Sequence, residues 1–227
     1  MKNLIVFISV LFYSFCHTQE IDGNISYSFI NSNQWNKAIQ TYNFSRPFLD
    51  EKQPLLNHGV NAAFSYLFKS DKKIKQGINL SYSYFRSNAE NENLNNRLNL
   101  HMVNIGYLLR YENQNKWKGF YTDLIISATS NALFRYVNSK PYTVDGDKAK
   151  GLGVGGDIAI KAGYQLQKTK RFHISPFAKI GYSPYVYSPN FESVSNQTKG
   201  LSSKNWTGIL NAQVGISFHL KKANKKS

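Results

Sequence analysis

Apolar and polar positions alternate along most of the chain beyond its N-terminal segment. Period-2 alternation marks a strand with one apolar face. It is longest near the C-terminus. There Trp206, Gly208, Leu210, Ala212, Val214, Ile216, Phe218 and Leu220 share one face, and Thr207, Ile209, Asn211, Gln213, Gly215, Ser217 and His219 share the other. Soluble strands average about 5–6 residues, whereas a tilted transmembrane strand needs roughly 9–11. Similar runs cover Val60–Phe68, Ile78–Tyr84, Val154–Leu166 and Phe172–Tyr182. Weaker ones cover Ile25–Phe29, Val103–Tyr111 and Phe120–Ala128, so the pattern predicts eight strands.

The predicted connections alternate in length. Short ones fall at Ser70–Lys73, Asn113–Lys116 and Lys168–Arg171, and long ones at Asn36–Asn57, Ser87–Asn96, Leu133–Lys150 and Ser188–Asn205. With both termini in the periplasm, every short connection lies on the periplasmic side, the habit of outer-membrane barrels. Aromatic residues sit at strand ends: Trp117, Phe172 and Phe218 near the turns, and Trp35, Tyr84 and Trp206 near the loops. That is where headgroup girdles form.

The chain begins Met1-Lys2-Asn3, followed by an apolar run from Leu4 to Phe15. A basic start and a short apolar run read as a secretory signal, and the run falls short of the roughly 20 residues of a spanning helix. Cleavage is expected after Thr18, giving a signal over 1–18, a barrel over 19–220 and a basic tail over 221–227. Cys16 is the single cysteine, which excludes a disulfide framework and a multi-cysteine zinc site. Phe15 before it argues against lipoprotein processing. Loss of Cys16 with the signal suits an oxidising compartment.

Signal, eight alternating strands and asymmetric connections resemble the small bacterial outer-membrane β-barrels, the group that includes the membrane domain of OmpA and OmpX. The resemblance implies an all-β fold, an eight-stranded antiparallel transmembrane β-barrel integral to the outer membrane. One departure stands out. Such chains commonly end on an aromatic residue of the last strand, whereas here Phe218 is followed by a tail from Lys221 to Ser227.

The net charge of +15 sorts by side of the membrane. Short turns and tail carry Lys69, Lys72, Lys73, Lys75, Lys116, Lys118, Lys168, Lys170, Arg171, Lys221, Lys222, Lys225 and Lys226, opposed by Asp71 and Glu112, with Glu20 and Asp22 near the N-terminus. This predicts a basic periplasmic rim beside lipid phosphates, or a docking surface for an acidic envelope partner. The compartment and the absence of any binding module exclude nucleic acid.

Inward-facing charges are predicted at Arg110, Asp123, Asp157, Lys161 and Lys179. Eight strands leave an interior just wide enough for side chains, so a salt-bridged plug is expected rather than an ion path. His173 and Ser175 share a face, and Arg171–Ser175 faintly resembles the His/Ser pair of outer-membrane lipid A deacylases. An esterase also needs an acid to orient its base, and none is evident. Alternation places His173 and His219 side by side inside the barrel, with no further metal ligand apparent. Gly151–Gly156 lacks the strand–turn–helix setting of a nucleotide loop. His58 and His101 read as surface-rim residues. The functional expectation is a non-enzymatic outer-membrane protein with a filled lumen and no metal or cofactor. It acts through surface loops or the basic rim, as a structural or assembly component touching lipids and other envelope proteins. Apolar residues in Arg46–Leu49 and Pro54–Leu56 are offered to such a partner. A lipid-modifying enzyme and a narrow channel are the alternatives.

Overall fold

Backbone pairing in the computed structural model runs in chain order from strand to strand and returns to its start. The described residues are 18–44, 52–68, 73–91, 94–113, 117–141, 143–144, 147–148, 150–168, 172–187 and 206–221. The wall consists of β1 (Thr18–Asn31), β2 (His58–Phe68), β3 (Ile74–Asn91), β4 (Leu94–Glu112), β5 (Phe120–Val137), β6 (Lys150–Tyr164), β7 (Phe172–Tyr187) and β8 (Trp206–Lys221). Each pairs antiparallel with the next. β1 also pairs with β8, from Glu20↔Lys221 to Asn31↔Leu210, and closes the barrel. Closure gives each of the eight strands a neighbour on both sides, so no strand is left as an open edge.

Seven of the eight predicted runs fall inside these strands, and the eighth, Val154–Leu166, overshoots the end of β6 at Tyr164 by two residues; the faces are those the alternation assigns. The loop side differs from expectation. Ser87–Asn96, predicted as a long loop, is mostly ladder: Ser87 pairs with Leu98, Asn88 with Arg97 and Asn91 with Leu94. Side chains there are polar on many outward positions, so the period-2 signal fades while the backbone pairing continues. Likewise β5 continues past Leu133 to Val137 and turns at Asn138-Ser139, which hold positive φ of 50° and 63°. Lys140 then pairs back with Val137. Two positive-φ residues make the mirror-image turn whose twist matches that of paired strands.

The first long connection contains a helix that the alternation does not announce, α1 (Asn33–Phe44). Ser32 caps it. Its carbonyl accepts from the Asn36 N–H at 2.9 Å, and its hydroxyl lies 3.2 Å from that of Thr207 on β8. Trp35 and Ile39, one turn apart, both face inward and are buried. Trp35 was expected in a headgroup girdle and is instead 3% exposed inside the barrel mouth. The expected signal, the loop at 188–205 and the tail beyond Lys221 lie outside the described residues, apart from Thr18, which opens β1.

Candidate functional site: a lumen with a floor and a ceiling

Every strand presents an apolar row outward. Ile25, Val60, Ile78, Val103, Ile126, Ile158, Ile180 and Val214, one from each strand, are 40–65% exposed. Their inward neighbours are polar and buried, among them Ser26, Asn61, Asn79, Asn104, Ser127, Asp157, Lys179 and Gln213. Such a surface is inverted for water and matched to hydrocarbon, which a closed barrel can cross with all its backbone bonds satisfied. This is an integral outer-membrane β-barrel. Its outer face carries aromatic residues at both ends. Trp117 is exposed near a turn, Phe172 stacks on Phe218 at 6.3 Å, and Tyr82 and Tyr84 flank His101 near the loop side. His101 is 2.7 Å from the Tyr82 hydroxyl, and exposed His58 stacks on Tyr27.

The turn end of the lumen is closed by a charge network centred on Arg110, a fully buried side chain of β4. Arg110 donates through Nε and Nη2 to the two carboxylate oxygens of Asp123, its register partner on β5, at 2.7 and 2.8 Å. Fork-to-fork pairing of this kind fixes orientation as well as charge. The same Nη2 lies 2.5 Å from Asp22 Oδ2, and Nη1 lies 3.6 Å from Glu20 Oε1. The Tyr121 ring packs under the guanidinium at 4.5 Å, in space that Gly163 leaves open. His219 Nδ1 is 2.6 Å from Asp22 Oδ1. His219 is in register with both Asp22 and His173. Lys75 reaches Glu20 at 2.7 Å and Glu112 at 2.8 Å.

Glu20, Asp22, Lys75 and Glu112 therefore belong to the lumen floor and not to the external charge balance where the sequence placed them. Glu20 and Asp22 point inward because β1 keeps its register back to Glu20, before the shift toward Thr18, and Lys75 follows as the first inward position of β3. The expectation that His219 lacks further ligand-type neighbours is corrected too: ligand atoms of Glu20, Asp22 and His219 lie within 4.8 Å of one another. Arg110 and Lys75 already supply positive charge to these carboxylates, which disfavours an added cation.

Above the floor, Lys161 on β6 stands opposite Asp123 in register, with Nζ 3.8 Å from its carboxylate. It donates across the lumen to Asn24 Oδ1 at 2.8 Å. Lys179 on β7 is the direct register partner of Lys161. Asp157 accepts from the Ser183 hydroxyl at 2.6 Å and from Asn211 at 3.4 Å. Of the five charges the sequence singled out, Arg110, Asp123 and Lys161 thus meet in one network, whereas Asp157, hydrogen-bonded by Ser183 and Asn211, is the electrostatic partner of Lys179, which lines a cavity. His173 and Ser175 are buried and face inward; the carboxylate of Asp22 bonds His219. In the glycine run, Gly153 faces inward against Asn131 as part of β6.

The loop end is closed by apolar packing. Trp35, Ile39 and Leu56 pack against the inward residues Ile30, Phe85, Leu100, Met102, Leu133, Tyr185 and Ile209. Reciprocal bonds tie Asn43 to the Gln53 backbone at 2.9 and 2.8 Å. Gln53 in turn donates to Ser87 at 2.5 Å and accepts from Asn96 at 3.0 Å. Pro54–Leu56, read as apolar residues for a partner, instead send Leu56 into the mouth at 2% exposure. The wall extended beyond the apolar belt offers buried apolar positions that a free loop would forgo. Arg46–Leu49 lie outside the described residues.

Of the basic rim, Lys73 and Lys118 are exposed at the turn end. Lys168 and Lys221 are held there by backbone pairing with His173 and Glu20. Lys69, Lys72, Lys170, Arg171 and Lys222 lie outside the described residues.

No family model matches the sequence, and no curated protein matches it. Solved structures align over most of the barrel at low identity. Neisserial surface protein A is 8% identical, with 89% of this chain and 96% of that one covered and a TM-score of 0.47. Ail, the attachment invasion locus protein of Yersinia pestis, is 13% identical over 89% and 99%, with a TM-score of 0.44. OprG of Pseudomonas aeruginosa is 8% identical over 91% and 98%, with a TM-score of 0.43.

Proposed function

We propose that this barrel neither conducts nor catalyses, and that it serves the envelope through its two rims. The observation that carries the reading is the double closure of the lumen, by the Arg110 network at one end and the Trp35 stopper at the other. Exposed function then falls to the strand extensions and loops on one side and to the basic rim on the other. Exposed Lys73 and Lys118 favour anionic lipid headgroups, at about 1 kcal/mol per cation near a strongly anionic surface. The partners are outer-membrane lipids and other envelope proteins. The inward placement of His173 and Ser175 supports the non-enzymatic reading, because an esterase acting on lipid needs its serine at the lipid or the surface.

Co-purification of the full-length protein from crosslinked membranes is the test. Recovery of other outer-membrane proteins in fixed proportion, lost when Lys73 and Lys118 are changed to Glu, is expected. A mass shift of lipid A on expression would replace this reading with the enzyme. A steady conductance of the wild type in planar bilayers, lost on replacing Lys161, would replace it with the channel.

A further inference from the structure

Charge on the lipid-facing wall of a barrel is costly at mid-membrane and nearly free close to the two membrane surfaces. On the loop side, the outward faces of β3 and β4 carry two arginines, Arg86 and Arg97. Arg86 is in register with Asn99 and Arg97 with Asn88, so the arginines are diagonal neighbours. Residues so related lie about 7–8 Å apart, close enough for two such long side chains to share one ligand. His101 continues the outward row on β4. Exposed His58 stands one residue beyond the Gly59↔Phe85 pair, at the level of Arg86. Toward mid-membrane the same two strands present Leu80, Tyr82, Val103 and Ile105 outward.

The arginines are not spent on carboxylates. Arg97 holds its guanidinium over the Tyr136 ring, with Cζ 4.7 Å from the centroid. That contact uses the face of the group and leaves its in-plane N–H donors. Its Nε has no hydrogen-bond partner. Among the described residues, neither arginine has a carboxylate within ion-pair distance. Glu90 lies diagonal to Arg97 on the side away from mid-membrane, and its Oε1 accepts from Asn88 and Asn95 at 2.7 Å each. Two guanidiniums against one carboxylate leave the patch positive. Each guanidinium is a planar fork that matches phosphate geometry. A phosphate monoester carries close to two negative charges at neutral pH, one for each fork, whereas the phosphodiester of a common glycerophospholipid carries one.

We propose that Arg86 and Arg97 bind the phosphate monoester of a phosphorylated glycolipid in the outer leaflet. Its headgroup sits at the arginine pair, and its acyl chains run down the wall over Leu80, Val103 and Ile105. The site lies on the rim opposite Lys73 and Lys118 and does not depend on what those lysines bind.

The test uses the barrel folded in detergent micelles, with lipid binding titrated by native mass spectrometry. The probes are bisphosphorylated lipid A, the same lipid with both phosphates removed, and phosphatidylglycerol. The wild type is expected to bind bisphosphorylated lipid A more tightly than either of the others by about tenfold or more. Arg86→Gln combined with Arg97→Gln is expected to erase that preference, while a gel mobility that still changes on boiling shows the barrel folded. Lys73→Glu combined with Lys118→Glu is expected to leave it unchanged, which separates this site from the opposite rim. Equal binding of the three lipids by the wild type needs no variant to overturn the proposal. A preference undiminished in the arginine variant, or lost with the lysines instead, would also overturn it. So would displacement of lipid A by an equal concentration of inorganic phosphate, since the site would then take phosphate without its chains.

Discussion

Arg110 joins three carboxylates from two strands, Glu20 and Asp22 of β1 and Asp123 of β5, and single residues of this kind decide whether the floor holds. Arg110→Met leaves Asp22, Asp123 and Glu20 buried with less positive charge. Breaking a buried pair from one side costs about 3–5 kcal/mol, a loss expected in reversible denaturant unfolding of the barrel in lipid. Arg110→Lys is expected to recover only part, because an ammonium cannot reproduce the two-pronged contact with Asp123. Gly163 is constrained by contact rather than charge: a Cβ there would lie 2.5 Å from the Tyr121 ring. Gly163→Ala is therefore expected to cost about 1–3 kcal/mol by the same measurement. At this scale the sequence was partly legible. Arg110, Asp123, Asp157, Lys161 and Lys179 declared themselves by standing on the polar face of clear alternation. Glu20 and Asp22 did not, because their outward neighbours include Gly23 and they lie beside the end of the expected signal. Their contacts are also long-range, Asp22 with His219 being 197 residues apart, and no local pattern encodes such a meeting.

Strands were legible in this sequence because membrane crossing imposes a period on both faces at once. The helix α1 was not, since its 12 residues carry no acidic first turn and no basic last turn. Its apolar anchors Trp35 and Ile39 become intelligible only when the barrel mouth they fill is present. Trp35→Ala is expected to release the stopper while the wall stays folded. The readout is limited proteolysis, with new cuts in 33–57 and none in the strands. If the variant resists protease as the wild type does, the stopper does not depend on that ring. The polar ends of β3 and β4 were missed for a related reason: outside hydrocarbon, pairing no longer demands an apolar outward face. Within it the demand is strict and varies with depth. Ile158→Arg, mid-strand on the lipid face of β6, is expected to cost about 2–4 kcal/mol, and Leu220→Arg near the turn-side end of β8 about 0–1. Unfolding in lipid vesicles compares the two directly.

For the whole molecule, a closed antiparallel wall in detergent should give strand-dominated circular dichroism and a gel mobility that changes on boiling. A soluble monomer without detergent would contradict the barrel. Floor and ceiling act in series, so deleting residues 33–56 alone is expected to leave planar bilayers silent, while the same deletion combined with Arg110→Ala should admit current. The closing ladder between β1 and β8 has a further consequence for how the chain reaches this state. It joins Asn24 to Ser217, 193 residues away, so the first strand must wait with an open edge until the last one arrives. Formation of such distant pairs is intrinsically slow. Arrival alone is not enough, since β8 can dock in neighbouring alignments with similar backbone bonding. Slipping by one residue would turn His219 toward lipid and bring Phe218 or Leu220 against Asp22 and Arg110. The floor thus works as a checksum on assembly: Asp22 meets His219 only when the last strand has seated at the one correct offset, and a one-residue slip sets an apolar side chain beside that carboxylate instead.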